Sequence, residues 1–448
     1  MDKKIIVIGA GLCGTLLALR LAQRGHKVTI YERRQDMRKT NISAGRSINL
    51  ALSDRGLKGL RLVGLEDQVK DLVIPMEGRM IHPIQGDQSY VRYSGRDGEW
   101  INSVSRGGLN MLLLNEAEKT GLIDIHFNME CKDIDFEGAK ITLVDTLNHS
   151  TITDTGDVIF GTDGANSAVR SAIMAQSPRF RFDFSQKYLE AGYKELEIPH
   201  GENGSFRLEH HALHIWPRAG YMMIALPNLD GSFTVTLFMP FEGENSFSKL
   251  QTDDEILTFF KDQFPSAYKQ MPDLLNDFRT NPSSSLGTIK CFPWQINGKF
   301  LLMGDAAHAI VPFYGQGMNA SFEDVVVLDS LIDDFGSDWS EILMQYQKVR
   351  KVDADAIADL AQDNFYEMRD GTADPVFLLK RKLELHLEQT NPDYFSKYSM
   401  VTFREDLPYS IAMAKGRRQD QVLMDYASKV SDINEVNYDD LLKMLVES

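Results

Sequence analysis

Residues 3 to 32 constrain the fold of this chain more than any other stretch. Four apolar residues, Ile5 to Ile8, run into Gly9-Ala10-Gly11-Leu12-Cys13-Gly14, then an apolar helical pattern, a second β-rich run and an acid, Glu32. That order is what a dinucleotide site asks of a strand–helix–strand unit. Gly9 permits the tight turn out of the strand, Gly11 lets the backbone approach a pyrophosphate, and Gly14 lets the helix lie close on the sheet. The helix N-terminus then offers unpaired N–H groups and its positive dipole end to an anion. Glu32, about 20 residues on, can accept both ribose hydroxyls. The motif by itself leaves NAD, NADP and FAD open.

The 448 residues are enough for two or three domains. A net charge of −16 argues against a nucleic-acid partner and against a basic membrane patch. Cys13, Cys131 and Cys291 are scattered without CxxC spacing, which excludes a disulfide framework or a cysteine zinc site and suits a reducing cytoplasm. Lys3-Lys4 before an apolar run resembles a secretion signal, but a glycine turn after only four apolar residues fits a βαβ unit better. No stretch reaches the roughly 18 uninterrupted apolar residues that span a bilayer. The expectation is a soluble protein.

Two further segments read as buried parallel strands of the nucleotide domain: Asp157 to Gly161, running into Thr162-Asp163-Gly164, and Lys299 to Met303, running into Gly304-Asp305. Between them, residues 181 to 283 read as antiparallel strands at Ser205 to Ile215, Tyr221 to Leu226 and Phe233 to Phe238, with Asp230-Gly231 as a hairpin turn. A smaller excursion at 76 to 99 carries Arg79, His82 and Tyr93. Beyond 340 the periodicity is helical, with Val352 to Met368 and Val376 to Leu387 amphipathic. The expected division is a discontinuous nucleotide-binding domain (1–75, 100–180, 284–340), a substrate domain (76–99, 181–283) and a C-terminal helical region (341–448).

Asp163-Gly164 follows a strand and precedes a helix, so it presents N–H groups and an acid at the carboxyl edge of the sheet. Gly304-Asp305-Ala306-Ala307-His308 to Gly315-Gln316-Gly317-Met318-Asn319 is more specific. Asp305 at a strand end can bind a ribitol-type polyol, and the helix that starts near 318 can turn its positive end towards a charge growing on a cofactor.

Gly9 to Gly14 with Glu32, then Asp163-Gly164, then Gly304-Asp305, in this order, resemble the single-component FAD-dependent aromatic hydroxylases. Further segments resemble the branch of that family whose substrate is L-kynurenine: Gly45 to Ser53, Gly78 to His82, Ser103 to Arg106, Pro312 to Asn319, Asn364 to Arg369 and Tyr398 to Phe403. The resemblance runs from about residue 4 to about 405. It implies an α/β fold: a Rossmann-like, glutathione-reductase-type FAD-binding domain with an inserted antiparallel β-sheet substrate domain and a C-terminal helical region. It also implies bound FAD, NADPH as co-substrate and O₂, with kynurenine hydroxylated to 3-hydroxykynurenine through a flavin C4a-hydroperoxide.

Carried onto this sequence, the resemblance assigns Arg79, Tyr93, Asn364 and Tyr398 to the substrate, with Pro312, Phe313 and Gln316 beside the flavin and the ring. Arg79 can clamp an α-carboxylate through its planar fork, the tyrosines add hydroxyls, and Asn364 offers both donor and acceptor. To FAD it assigns Gly9, Gly11, Cys13, Gly14, Glu32, Arg33, Arg34, Gln35, Leu52, Arg106, Cys131, Asp163, Asp305, Met318 and Asn319. Cys13, Leu52, Cys131 and Met318 would act through their backbones. The Gly45 to Ser53 segment resembles the loop along which the flavin moves in this family.

No catalytic base is expected, because the substrate's amino group already activates the ortho carbon. No metal is expected either: on a strand His210 and His214 share a face, His211 points away, and no acid or cysteine completes a set. His308 reads as a structural partner in the Gly-Asp motif, and Ser167 lacks a nucleophile elbow. The closing residues, Asp439-Asp440-Leu441-Leu442-Lys443, carry no apolar span, so the expectation is a cytoplasmic enzyme without a membrane anchor, monomer or homodimer. Rival readings are a hydroxylase of another aromatic carboxylate, a flavin amino-acid oxidase, and a non-catalytic nucleotide-binding module.

Overall fold

The first strand, Ile5–Ile8, is fully enclosed: Ile5, Ile6 and Val7 have no exposed surface, because Val28–Glu32 pairs on one side and Val158–Gly161 on the other, both parallel. Such a strand is covered on both faces, which is why it reads as an unbroken apolar run. The computed structural model to which it belongs describes residues 3–39, 49–370 and 374–447. Two units divide the chain. One comprises Met1–Leu72, Val104–Lys187 and Gly287–Ala358, and the other Val73–Ser103, Tyr188–Leu286 and Asp359–Ser448.

The first unit is built on a six-stranded sheet in the order Gln295–Ile296, Phe300–Leu302, Val158–Gly161, Ile5–Ile8, Val28–Glu32, Ile123–Phe127, parallel except at the Gln295–Ile296 edge. The helix Leu12–Gln23 follows the first strand, and the helix Arg106–Lys119 begins at Ser105, whose Oγ accepts the Gly108 N–H at 3.2 Å. A small antiparallel sheet, Met129–Asp135, Lys140–Asp145 and Thr151–Thr155, carries a bulge between Thr142 and Leu143. This is the expected Rossmann-like architecture.

In the second unit the sheet order is Ser284–Phe292, Asp183–Ile198, Phe233–Pro240, Met222–Pro227, Ala212–Pro217, Gly78–Ile81, Ser89–Arg92. From Asp183–Ile198 to Ser89–Arg92 the neighbours pair antiparallel except Ala212–Pro217 with Gly78–Ile81, which run parallel with Leu213 beside Arg79. Phe233, Val235, Leu237 and Met239 share one face and pack on Ile256, Phe260 and Phe278 of the covering helices. One of these, Asp253–Gln263, starts with a Thr252/Glu255 capping box. Helices Pro375–Thr390, Tyr409–Ala427 and Tyr438–Glu447 form a second core around Leu383, Leu387, Leu423 and Leu441, and the short helix Lys397–Thr402 lies between the first two in sequence.

One expected strand is shorter than its sequence suggests. Pairing begins at Ala212, not Ser205, because the preceding residues bond locally. The His211 N–H donates to Glu209 Oε1 at 2.9 Å, and Phe206 stacks on His210. No helix among the described residues is long and apolar enough to cross a membrane.

Candidate functional site

In the first unit the glycine turn leads from Ile5–Ile8 into the helix Leu12–Gln23. Gly9 donates its N–H to Tyr31 O at 2.8 Å, and the first intrahelical bond is Thr15 N–H to Gly11 O at 2.9 Å. The N–H groups of the first turn therefore have no partner within the helix. Gly14 sits against the turn itself, where an added Cβ would overlap Gly9 O and Thr162 Oγ1. Gly11 is the opposite case, since a Cβ there would point into open space. Glu32 Oε2 accepts the Ala10 N–H and Oε1 the Arg34 N–H, both at 2.9 Å, so one oxygen steadies the turn while each keeps a lone pair for a ligand. Arg33, Arg34 and Gln35 are exposed beside it.

Asp163 lies two residues past the end of the strand Val158–Gly161. Its Oδ2 accepts the Ala168 and Val169 N–H groups at 2.6 and 3.3 Å, whereas its buried Oδ1 has no hydrogen-bond partner. Burial pushes this carboxyl above its usual range. The Cys131 thiol is pushed up to about 12 by burial and by Asp163, which leaves it protonated and inert at neutral pH. Burial, Asp324 and Asp305 likewise push Cys13 up.

The Gly304-Asp305 turn is held from behind by Asp324, Glu323, Arg350 and Arg55, which the sequence does not single out, together with His308. Gly304 has φ +58° and ψ −145°, and a Cβ on it would stand 3.0 Å from Cys13 Sγ. Its N–H donates to Asp324 Oδ2 at 2.9 Å, and the same oxygen takes His308 Nε2–H at 2.7 Å. Arg350 Nε donates to Asp324 Oδ1 at 2.9 Å and its Nη1 to Glu323 Oε2 at 2.9 Å, while Arg55 Nη1 donates to Glu323 Oε1 at 2.7 Å. Burial raises the Asp324 carboxyl, but His308 and Arg350 outweigh it and hold the group below the usual carboxylate range. His308 is thus a structural partner of the motif. Asp305 itself, at the first position of the helix Asp305–His308, has no hydrogen bond to another described residue and remains available to a polyol.

Asn319 is fully engaged: Oδ1 accepts the Ser53 N–H at 3.0 Å, and Nδ2 donates to Ala51 O and Gly315 O, both at 2.8 Å. Gln316 is buried at the start of the helix Gly317–Phe335, with Nε2 3.4 Å from Ser53 Oγ. Leu52, Met318 and Phe313 are buried; Pro312 and Arg106 are exposed. Gly45 to Ile48, the first part of the expected flavin loop, lie outside the described residues. The unpaired N–H groups, the open space at Gly11, the orphaned Asp163 Oδ1 and the Asp305 carboxylate fit a dinucleotide with a polyol chain, as FAD has. All fifteen residues assigned to FAD fall within this first unit.

The four principal substrate candidates, by contrast, belong to the second unit. Arg79 lies on the strand Gly78–Ile81, Tyr93 just beyond Ser89–Arg92, Asn364 on Trp339–Asp370 and Tyr398 on Lys397–Thr402. Tyr93 and Tyr398 stack with centroids 5.5 Å apart, 10° from parallel. The guanidinium carbon of Arg79 stands 5.0 Å from one ring centroid and 4.7 Å from the other. Two cation–π contacts orient the fork without consuming its N–H groups. Arg79 Nε and the Tyr93 hydroxyl are buried and have no hydrogen-bond partner. Burial keeps that phenol protonated by pushing its pKa up. Asn364 Nδ2 lies 3.5 Å from Met368 Sδ.

Sheet, glycine turn and paired Asp motifs define a flavoprotein of the FAD-binding type, and residues 2–361 match the family described as FAD binding domain. A Myxococcus xanthus protein named kynurenine 3-monooxygenase is 46% identical over 434 residues, covering 97% of this chain and 92% of its own. Proteins of the same name from Christiangramia forsetii and Dictyostelium discoideum are each 45% identical, covering 97% of this chain and 96% and 95% of their own. The chain belongs to the kynurenine 3-monooxygenase family of FAD-dependent monooxygenases. Among solved structures, the tetrameric form of 2-methyl-3-hydroxypyridine-5-carboxylic acid oxygenase superposes with TM-score 0.67 at 21% identity, over 86% of this chain and 97% of that one. Pseudomonas aeruginosa PqsL in complex with 2-aminobenzoylacetate gives 0.65 at 17%, over 83% and 98%. At such identities these two speak for the fold.

Proposed function

We propose that this protein hydroxylates L-kynurenine to 3-hydroxykynurenine, consuming NADPH and O₂. The observation that carries the reading is the Arg79 fork, held against two stacked tyrosines with its Nε and the Tyr93 hydroxyl unsatisfied. Buried polar atoms without partners in a native fold ask for a ligand or water. A substrate carrying an α-carboxylate, an α-ammonium and an aromatic ring suits a planar cation, a phenol and an amide.

Arg79 binds the carboxylate, Tyr93 and Tyr398 add hydroxyls and an aromatic wall, and Asn364 takes a donor and an acceptor. Pro312, Phe313 and Gln316 are assigned to the substrate as well. Gly9, Gly11, Gly14 and Cys13 hold the pyrophosphate, Glu32 with Arg33, Arg34 and Gln35 the adenosine side, and Leu52, Arg106, Cys131, Asp163, Asp305, Met318 and Asn319 the remainder of FAD. When bound, FAD supplies the redox chemistry, taking electrons from NADPH and activating O₂. The protein's share is orientation of the ring and exclusion of water, and no side chain is assigned as a proton-transfer base. Three unpaired thiols support a reducing, cytoplasmic setting.

The test is NADPH oxidation by the FAD-loaded protein, with product identified by mass. Kynurenine-dependent oxidation yielding 3-hydroxykynurenine is expected. Hydroxylation of another aromatic carboxylate in preference to kynurenine overturns the substrate assignment, and ammonia release without NADPH consumption overturns the monooxygenase reading.

A further inference from the structure

Tyr93 and Tyr398 come from distant parts of the chain, and neither lies within a long element. Tyr93 follows the short strand Ser89–Arg92, and Tyr398 is the second residue of the six-residue helix Lys397–Thr402. Stacking alone is weak support for two such segments.

One buried side chain connects them. Glu388, near the end of the helix Pro375–Thr390, is 4% exposed. Its Oε2 accepts the Gly95 N–H at 3.1 Å, two residues past Tyr93, and its Oε1 accepts the Ser396 N–H at 2.9 Å, two residues before Tyr398. Ser396 is the cap of the Tyr398 helix, its Oγ accepting the Ser399 N–H at 3.2 Å. Gly95 lies so close to the helix that an added Cβ would stand 2.9 Å from the Glu388 Cβ. Arg96 adds a second tie, its guanidinium 3.8 Å from the Phe395 ring centroid and bonded to the Tyr394 and Pro392 carbonyls, with Nη1 3.7 Å from Glu388 Oε1.

We infer that Glu388 is a positioning residue for the substrate cradle: one carboxylate fixes the backbones on both sides of the tyrosine pair and so sets where the Arg79 fork points. This rests on the assignment of the cradle to kynurenine. Glutamine at 388 keeps one carbonyl acceptor, so one of the two amide N–H groups loses its partner; leucine strips both.

The experiment compares Glu388→Gln, Glu388→Leu and Leu441→Ala in the FAD-loaded full chain. Leu441→Ala loosens the apolar core of the same helices and serves as the control for general destabilisation. Kynurenine affinity is read from the flavin absorbance change, together with KM, kcat, FAD content and melting temperature. Affinity is expected to weaken about threefold in the Gln variant and about tenfold in the Leu variant, chiefly through KM. FAD content stays at the parental level, and Leu441→Ala lowers the melting temperature without moving affinity.

Parental affinity in Glu388→Gln, or an equal loss in Leu441→Ala, overturns the inference. Fluorotyrosine placed at 398 provides a substrate-free readout by ¹⁹F NMR: a displaced or broadened line in Glu388→Gln supports the inference, and an unchanged line overturns it. If the parental protein does not respond to kynurenine, the functional reading fails and Glu388 is judged by that line alone.

Discussion

Asp324 accepts the backbone N–H of Gly304 at 2.9 Å, so the turn that presents Asp305 is held by a carboxylate twenty residues further on. The same group takes His308 and Arg350. Replacement by leucine leaves a buried amide, an imidazole and a guanidinium without their acceptor. A loss of about 3–5 kcal/mol is expected, with FAD released. Asparagine, which keeps one acceptor oxygen, is expected to retain more flavin than leucine. The ratio of flavin to protein absorbance and the urea midpoint of each variant check this.

Gly11 and Gly14 separate two kinds of glycine requirement. Alanine at 14 collides with the Gly9 carbonyl and the Thr162 hydroxyl, so the apo-protein is expected to melt lower. Alanine at 11 meets no protein atom, and φ −73° there suits any residue. Gly11→Ala should therefore leave apo stability near parental while weakening FAD binding about tenfold or more, because its methyl occupies the space a phosphate needs. Calorimetry on the apo-proteins and FAD titration separate the two effects.

Arg79→Lys preserves charge but removes the planar fork that lies against both tyrosines. A fall of about tenfold in kcat/KM for kynurenine is expected for lysine and about a hundredfold for alanine, with FAD content unchanged. Equal activity in Arg79→Ala and parental protein would rule out the carboxylate clamp.

His82 and His214 predict a pH dependence of stability. His214 Nε2–H donates to Glu209 O at 2.7 Å, which leaves Nδ1 to accept His82 Nε2–H at 2.8 Å; His82 Nδ1 is then buried without a partner. Burial, His214 and Arg218 lower His82 to about 3, and burial lowers His214 too. The unfolded chain binds a proton near pH 6.5 and the folded chain only near 3, so stability is lost as pH falls through that interval. The His82 share is about 2 kcal/mol at pH 5. Urea midpoints measured from pH 7 to 5 should fall, and fall less in a His82→Leu variant.

The nucleotide unit was legible because its signals are local. A strand, a glycine turn, a helix and Glu32 follow one another within thirty residues, and the Gly304-Asp305 turn announces itself by composition. What holds that turn was not legible. Asp324 and Arg350 are single charges within helical periodicity, indistinguishable in sequence from surface residues until the fold buries them together. Glu388 is hidden for the same reason, its partners being backbone amides that no side-chain pattern reports. The strand expected from Ser205 begins only at Ala212, since β-propensity there competes with the local Glu209–His211 bond.

The parallel pairing of Phe300–Leu302 with Val158–Gly161 bears on how the protein is made. During synthesis the strand at 158–161 leaves the ribosome about 140 residues before its neighbour exists, with the N–H and C=O groups of one edge unpaired and its apolar faces uncovered. Nascent chains halted before residue 300 should therefore be the ones that chaperones hold and that aggregate when released, and cofactor loading should begin only after that late strand has been translated.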